Sequence, residues 1–449
     1  MLPTRRALIQ SLLAQRSTPR YNLLLITADN LGYGDLGCYG NTEIKTPNFD
    51  AFARQGVRFT NFYTSSPTCT ASRAGLLTGR HPIRFGLNYQ LSTPENKSGV
   101  GLPHSEKILP QYLGPLGYAT GAFGKWNLGW APGSRPTERG FDEFLGHRSG
   151  NIDYYTHIYN GDLDLYRNTA PARLQGYSVD LFADAAMRFM NRHSARPWLT
   201  YLPFNSPHFP NPKNKVEGES NEWQAPDAFF AEYGYSPREQ DPRKRYRAVV
   251  TALDHAFGRV VDSLNATGQS DRTLVFFYSD NGAFMLPGRG LEVQTNRPLR
   301  DGGVTCFEGG IRVAGMARWP RHIPPASVTG ELLSAHDVLP LALSLAGASL
   351  PTAPTYDGID PLPALTGKGP GHRSPLFFEY QKHQAVRDGK WKLVRASHDA
   401  PWELYDLDAD IGETRNIAAA WPRMANSLAA QFQRWRESAA APKPQGPGQ

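Results

Sequence analysis

The sequence is short of cysteine, and what it has does not form a framework. Cys38, Cys69 and Cys306 are the only three in 449 residues. An odd number with no metal-ligand spacing argues against both a disulfide scaffold and a zinc site. Uninterrupted apolar runs of about 18 residues are missing, so no membrane-spanning helix is expected. No fixed period recurs, so collagen-like and repeat architectures are out despite 43 glycines and 37 prolines. Those residues predict many ordered loops instead. Lys+Arg exceed Asp+Glu by 48 to 41, but the excess is scattered along the chain, and nucleic acid is not an expected partner.

What is present is ordinary globular composition, 40% hydrophobic, 11% aromatic and 20% charged, in a chain long enough for two to three core-sized units. Residues 1–20 read as an export signal or an N-terminal extension. Arg5-Arg6 precedes a short apolar run from Ala7 to Ala14, a twin-arginine-like pattern that Gln10 and Ser11 interrupt. A periplasmic location is the expectation, with a cytoplasmic one as the alternative.

YNLLLITAD, Tyr21 to Asp29, is an apolar run ending in an acid, the pattern of a buried parallel strand whose carboxyl end delivers Asp29. RTLVFFYSDNG, Arg272 to Gly282, repeats the pattern and ends in Asp280-Asn281. Ligand sites of open α/β sheets lie at such strand ends. SVDLFADAAMRFMNRH has helical spacing with Ser178 as a candidate N-cap. An α/β unit over 21–350 is predicted. From 351 to 449 the short segments LFFEY, HQAVRDG, KWKLVRA and ELYDL predict a small antiparallel sheet, closed by a helix over MANSLAAQFQRWRES.

The segment SSPTCTASRAGLLTGR, Ser65 to Arg80, carries the most specific chemistry. A lone cysteine is usually a buried small hydrophobe. Cys69, however, stands among small polar residues with Arg73 one helical turn on, an arrangement that predicts an exposed, cation-flanked thiol at a helix start. With Cys69, Ala71 and Arg73 in C-x-[PA]-x-R and LLTGR following, the chain resembles the type I, formylglycine-dependent sulfatases, the arylsulfatase-like family. ADNLGYGDLGCYG at Ala28, GKWNLG at Gly124, GFDEFLG at Gly140, SPHFP at Ser206, YSDNG at Tyr278, EGGIRV at Glu308 and ELYDLDADIGE at Glu403 extend the resemblance over nearly the whole chain.

The resemblance implies an alkaline-phosphatase-like sulfatase fold, with a large mixed sheet flanked by helices and a smaller C-terminal α+β domain. It implies hydrolysis of an aryl or carbohydrate sulfate ester, with Cys69 converted to formylglycine by a formylglycine-generating enzyme. Ca²⁺ would be held by Asp29, Asn30, Asp280 and Asn281 together with the modified Cys69. Arg73, Lys125 and His208 match catalytic or sulfate-binding positions, and His208 is expected to donate a proton near neutrality. His104, His157 and His255 are read as structural.

Three positions depart from the family. Asn30 replaces a second Asp, Asn127 replaces the histidine of GKWHLG, and Gly303 replaces the lysine of LRxGK. One acid and one base are lost together, so the formal charge facing a sulfate is unchanged. Arg297 or Arg300 is a candidate to reach in for the missing lysine, and Arg300 is taken as substrate-binding. Asn127 has no titratable lone pair in the working range, so turnover limited by the second half-reaction is expected. The departures leave one alternative, an impaired homologue that binds sulfate esters or glycans, and the resemblance leaves another, a phosphoester or phosphonate hydrolase of the same superfamily in which the same metal and aldehyde attack phosphorus.

Overall fold

A computed structural model of the chain describes residues 20–91, 100–210, 223–285, 292–372 and 375–439. The twin-arginine-like segment lies outside these residues, apart from Arg20. Among the described residues no helix is long and apolar enough to cross a membrane.

In chain order the principal elements are β1 (Asn22–Ala28), α1 (Pro47–Gln55), β2 (Val57–Phe59), α2 (Cys69–Thr78), β3 (Ala119–Lys125), β4 (Glu143–His147), β5 (Tyr166–Arg167), β6 (Ala170–Pro171), α3 (Ser178–Arg192), β7 (Trp198–Pro203), α4 (Pro242–Ala266), β8 (Thr273–Ser279), β9 (Gly315–Arg318), β10 (Ser327–Thr329) and α5 (Val338–Leu345). The ten strands form one sheet in the order β10-β2-β9-β8-β1-β7-β3-β4-β5-β6. Its centre is parallel: β1 pairs with β7 and β8, and β3 with β7 and β4. β9 and β5 run antiparallel to their inner neighbours.

The central strands read as unbroken apolar runs because both faces are covered. Leu24 and Ile26 of β1 pack with Phe182 of α3, Phe257 of α4 and Phe49 of α1. Leu23 and Leu25, pointing the other way, pack with Leu76 and Leu77 of α2 and Leu339 and Leu341 of α5. Alternation within one strand thus feeds two cores, and the polar groups collect where the strands stop. Ser178 is the first residue of α3 rather than its cap, and its hydroxyl pairs with the Asn205 side-chain amide instead.

The C-terminal segments form the four-stranded antiparallel sheet β11 (Leu376–Tyr380), β12 (His383–Asp388), β13 (Trp391–Arg395) and β14 (Glu403–Asp406), followed by α6 (Pro422–Ala439). A buried ionic network ties this sheet to the larger one. Lys392 of β13 lies 2.7 Å from Glu308 and 3.3 Å from Glu413, and Tyr63 bridges Glu308 to Arg387 of β12 at 2.7 and 3.0 Å.

Candidate active site

Asp29 follows β1, Asp280 and Asn281 follow β8, Lys125 ends β3, and His208 lies in the loop after β7. All four strands are parallel neighbours, so their carboxyl ends bring these side chains to one edge. Asn30 and Asn127 both have positive φ, 61° and 55°, a conformation that asparagine tolerates better than other residues with a Cβ.

Cys69 opens α2, a helix buried on every side. The Thr64 and Ser72 hydroxyls both donate to the Asp280 carbonyl at 2.5 Å, which pins the start of α2 to the end of β8. Cys69 Sγ then lies 3.4 Å from Asp29 Oδ1 and 3.7 Å from Asn30 Oδ1. Ligand atoms of Asp29, Cys69 and His208 fall within 4.8 Å of one another. The thiol is not exposed as its polar neighbours suggested; it is buried, and burial pushes its pKa up far more than Lys125 can lower it. As a plain cysteine it would be an inert thiol at neutral pH.

Each carboxylate spends one oxygen on a cation. Lys125 Nζ lies 2.7 Å from Asp29 Oδ2, and Arg73 Nη2 lies 2.7 Å from Asp280 Oδ2. All four side chains are fully buried or within 1% of it. Burial works against the Lys125 charge, but Asp29 and then Cys69 outweigh it and raise its pKa. Arg73 behaves alike: burial opposes its charge, while Tyr201, Asp280 and Asp29 raise it. Burial and the neighbouring Asp29 raise the Asp280 pKa, against the pull of Arg73 and Lys125.

His208 departs from its expected role. Its Nδ1 lies 2.6 Å from the Phe209 carbonyl, which can only accept, so Nδ1 carries the hydrogen. Burial, helped by Lys125, pulls its pKa down to about 3. In the free site the ring is neutral, with an unprotonated Nε2, and is not a ready proton donor.

Arg300 does not reach this edge. Its guanidinium bonds Glu403 at 3.0 Å, the Tyr405 hydroxyl at 2.9 Å and the Glu413 carbonyl at 3.2 Å, and lies 3.9 Å over the Phe307 ring. Three partners and a ring hold it against the C-terminal sheet, which engages the guanidinium that the sequence offered to substrate.

Several contributors were not legible beforehand. Gln90 Oε1 accepts from Thr70 N and the Thr68 hydroxyl at 3.1 and 2.9 Å, while its Nε2 donates to Asn127 Oδ1 at 2.9 Å. Gln294 supports Asn30 by donating to its carbonyl at 2.9 Å. Neither glutamine lies in a recognised motif. Thr70 lies inside the cysteine motif, but at a position the pattern leaves free.

The family model described as Sulfatase matches residues 21–348, and one described as N-sulphoglucosamine sulphohydrolase, C-terminal, matches residues 304–438. The chain belongs to the sulfatase family. It is 34% identical to human arylsulfatase A over 94% of this chain and 89% of that protein. It is 32% identical to dog N-acetylgalactosamine-6-sulfatase over 88% and 76%. Among solved structures, Ps i-CgsB in complex with k-i-k-neocarrahexaose has 30% identity and a TM-score of 0.83, covering 93% of each chain. This sulfatase is therefore a sulfuric ester hydrolase with the alkaline-phosphatase-like fold, and the two strand-end Asp-Asn pairs around Cys69 mark its candidate active site.

Proposed function

We propose that this sulfatase hydrolyses an aryl or carbohydrate sulfate ester with Cys69 carried as formylglycine and with calcium held by Asp29, Asn30, Asp280 and Asn281. The observation that carries this reading is the division of the two carboxylates. Asp29 and Asp280 give Oδ2 to Lys125 and Arg73, leaving both Oδ1 atoms free of a cationic partner. Two carboxylate and two amide oxygens suit a hard cation. Asn281 Oδ1 is buried without a hydrogen-bond partner, a cost that a cation would relieve.

Calcium held there would supply a positive charge for a sulfate oxygen, and formylglycine, hydrated by water to a geminal diol, would supply a hydroxyl nucleophile. The chain's own residues do the rest. Lys125 stays an ammonium beside Cys69 and offers N–H donors to the sulfate. Arg73 holds Asp280 and donates to the Lys125 carbonyl at 3.0 Å, fixing the strand end that carries the lysine. His208, anchored through Nδ1, presents Nε2; the negative charge of a bound ester favours its protonation, which the free site disfavours, so that it can then donate to the leaving oxygen.

Intact mass of the Cys69 peptide tests the modification, since conversion lowers it by about 18 Da. The same preparation is assayed for turnover with and without calcium. Full turnover from an unmodified thiol would overturn the reading. The alternatives of a binder or a phosphoester hydrolase are not favoured by relatives that are sulfatases over most of their length. Export through the Arg5-Arg6 segment is part of the same proposal, and cell fractionation of a variant with both arginines changed to lysine tests it.

A further inference from the structure

Gly303 stands where the family resemblance expects a sulfate-binding lysine, and the structure shows what takes that space. A Cβ built on Gly303 would lie 2.3 Å from Phe284 Cδ1, 2.5 Å from its Cε1 and 2.8 Å from the Gly282 carbonyl oxygen. The Phe284 ring makes the two nearest contacts, and the Gly282 backbone closes the position further. The position borders the site, because Gly303 N donates to the Ala283 carbonyl at 2.9 Å and Val304 N donates to the Pro67 carbonyl at 2.8 Å, just ahead of Cys69. The Phe284 ring also meets His208 edge-on, centroids 6.1 Å apart at 88°.

The backbone that leads into the ring is held in place. Asn296 clamps the residue before it, its Oδ1 accepting from Ala283 N at 3.0 Å and its Nδ2 donating to the Ala283 carbonyl at 2.9 Å. Phe284 is nevertheless only half-buried. A partly open aromatic face on a fixed backbone, beside the histidine assigned to the leaving oxygen, is a docking surface for whatever that oxygen belongs to.

We propose that Phe284 is a specificity-determining residue whose ring receives a flat or apolar ring face of the alcohol portion of the sulfate ester, in place of a charged contact to sulfate. This rests on the sulfate-ester reading above. The shared chemistry is a ring face, which an aryl group and the C–H face of a pyranose both offer.

The test uses the full-length, formylglycine-bearing protein with 4-nitrophenyl sulfate, N-acetylgalactosamine 6-sulfate and inorganic sulfate as a competitive inhibitor. Phe284→Ala is expected to raise KM about tenfold or more, while the inhibition constant of inorganic sulfate stays unchanged. Phe284→Trp, which keeps an aromatic face, retains KM near wild type. A rise confined to the aryl ester, or to the sugar ester, supports the proposal and names the natural ring. KM unchanged in Phe284→Ala overturns it, as does a parallel rise of KM and the sulfate constant, which would mean that the sulfate site itself had loosened. Turnover of neither ester by the modified wild type would instead overturn the sulfate-ester reading, and this proposal with it. Thermal melts of both variants confirm that they fold.

Discussion

Asn127 Oδ1 is held by the Thr70 hydroxyl at 3.0 Å and by Gln90 Nε2 at 2.9 Å. The orientation is determined by the backbone, because Thr70 N can only donate and it donates to Gln90 Oε1. Gln90 must therefore turn its amino group to Asn127, and Asn127 is left with Nδ2 as its unpartnered group. The residue standing in the family's histidine position offers an N–H and no lone pair.

From this follows a kinetic expectation. A positioned base is worth roughly 10²–10⁴ in rate, and its absence bears on the half-reaction that frees sulfate. Stopped-flow assays should show a burst of one equivalent of alcohol followed by slow turnover. Asn127→His should accelerate the slow phase and leave the burst amplitude alone. A linear time course unchanged by Asn127→His would show that another group takes the proton.

Calcium should be needed for both turnover and stability. A ligand bound only by the native state raises Tm with its concentration, so chelation should lower Tm and activity together. Asn30→Asp adds a charged oxygen and should tighten calcium binding, read as a Tm that resists chelator better than wild type. No change of Tm on exhaustive chelation would remove the metal from this site.

Glu413 should make stability depend on pH with a fixed sign. Burial raises its carboxyl to about 7, from 4.5. In that window the native state holds a proton on Glu413 that the unfolded chain has lost, so its contribution falls as pH rises from 4.5 to 7. The buried histidines His81 and His336, lowered from 6.5 to about 3 and about 4 chiefly by burial, act oppositely and weaken the fold as pH falls below 6.5. Glu308, lowered to about 2 against burial by Lys392 and Arg312, loses its contribution as pH falls from 4.5 toward 2. At constant saturating calcium, the Tm of Glu413→Gln relative to wild type should therefore rise from pH 5 to pH 8. A difference between the two melting curves that does not change with pH would contradict the assignment.

Lys392 should be costly to remove. It is the buried cation between Glu308 and Glu413, and deleting one partner of a buried ion pair typically costs about 3–5 kcal/mol. Lys392→Met should lower the denaturation midpoint by a corresponding amount, with partial recovery when Glu308→Gln and Glu413→Gln are added. An unchanged midpoint would mean that the network does not hold the two sheets together.

Sequence by itself determined the central strands and the chemistry at their ends. β1 and β8 were legible because a strand covered on both faces must be apolar throughout, and Asp29 and Asp280-Asn281 stand out where that run stops. Cys69, Ala71 and Arg73 were legible because one turn of helix fixes their relative placement. The antiparallel C-terminal strands announced themselves by short alternating segments between turns. What only the tertiary structure decided depends on packing between segments far apart in the chain. Arg300 lies close to the Gly303 gap in sequence, yet Glu403, Tyr405 and Glu413 draw it to the other sheet. Cys69 and His208 read as reactive from their neighbours, but the core closing over them displaced both pKa values in the direction of the uncharged form. Gly303 read as a lost cation, and only the ring of Phe284, nineteen positions earlier by number and in contact in space, shows that the vacancy is filled. Local pattern specifies which groups are present at a strand end; burial and long-range contact decide their charge, their direction and their neighbours.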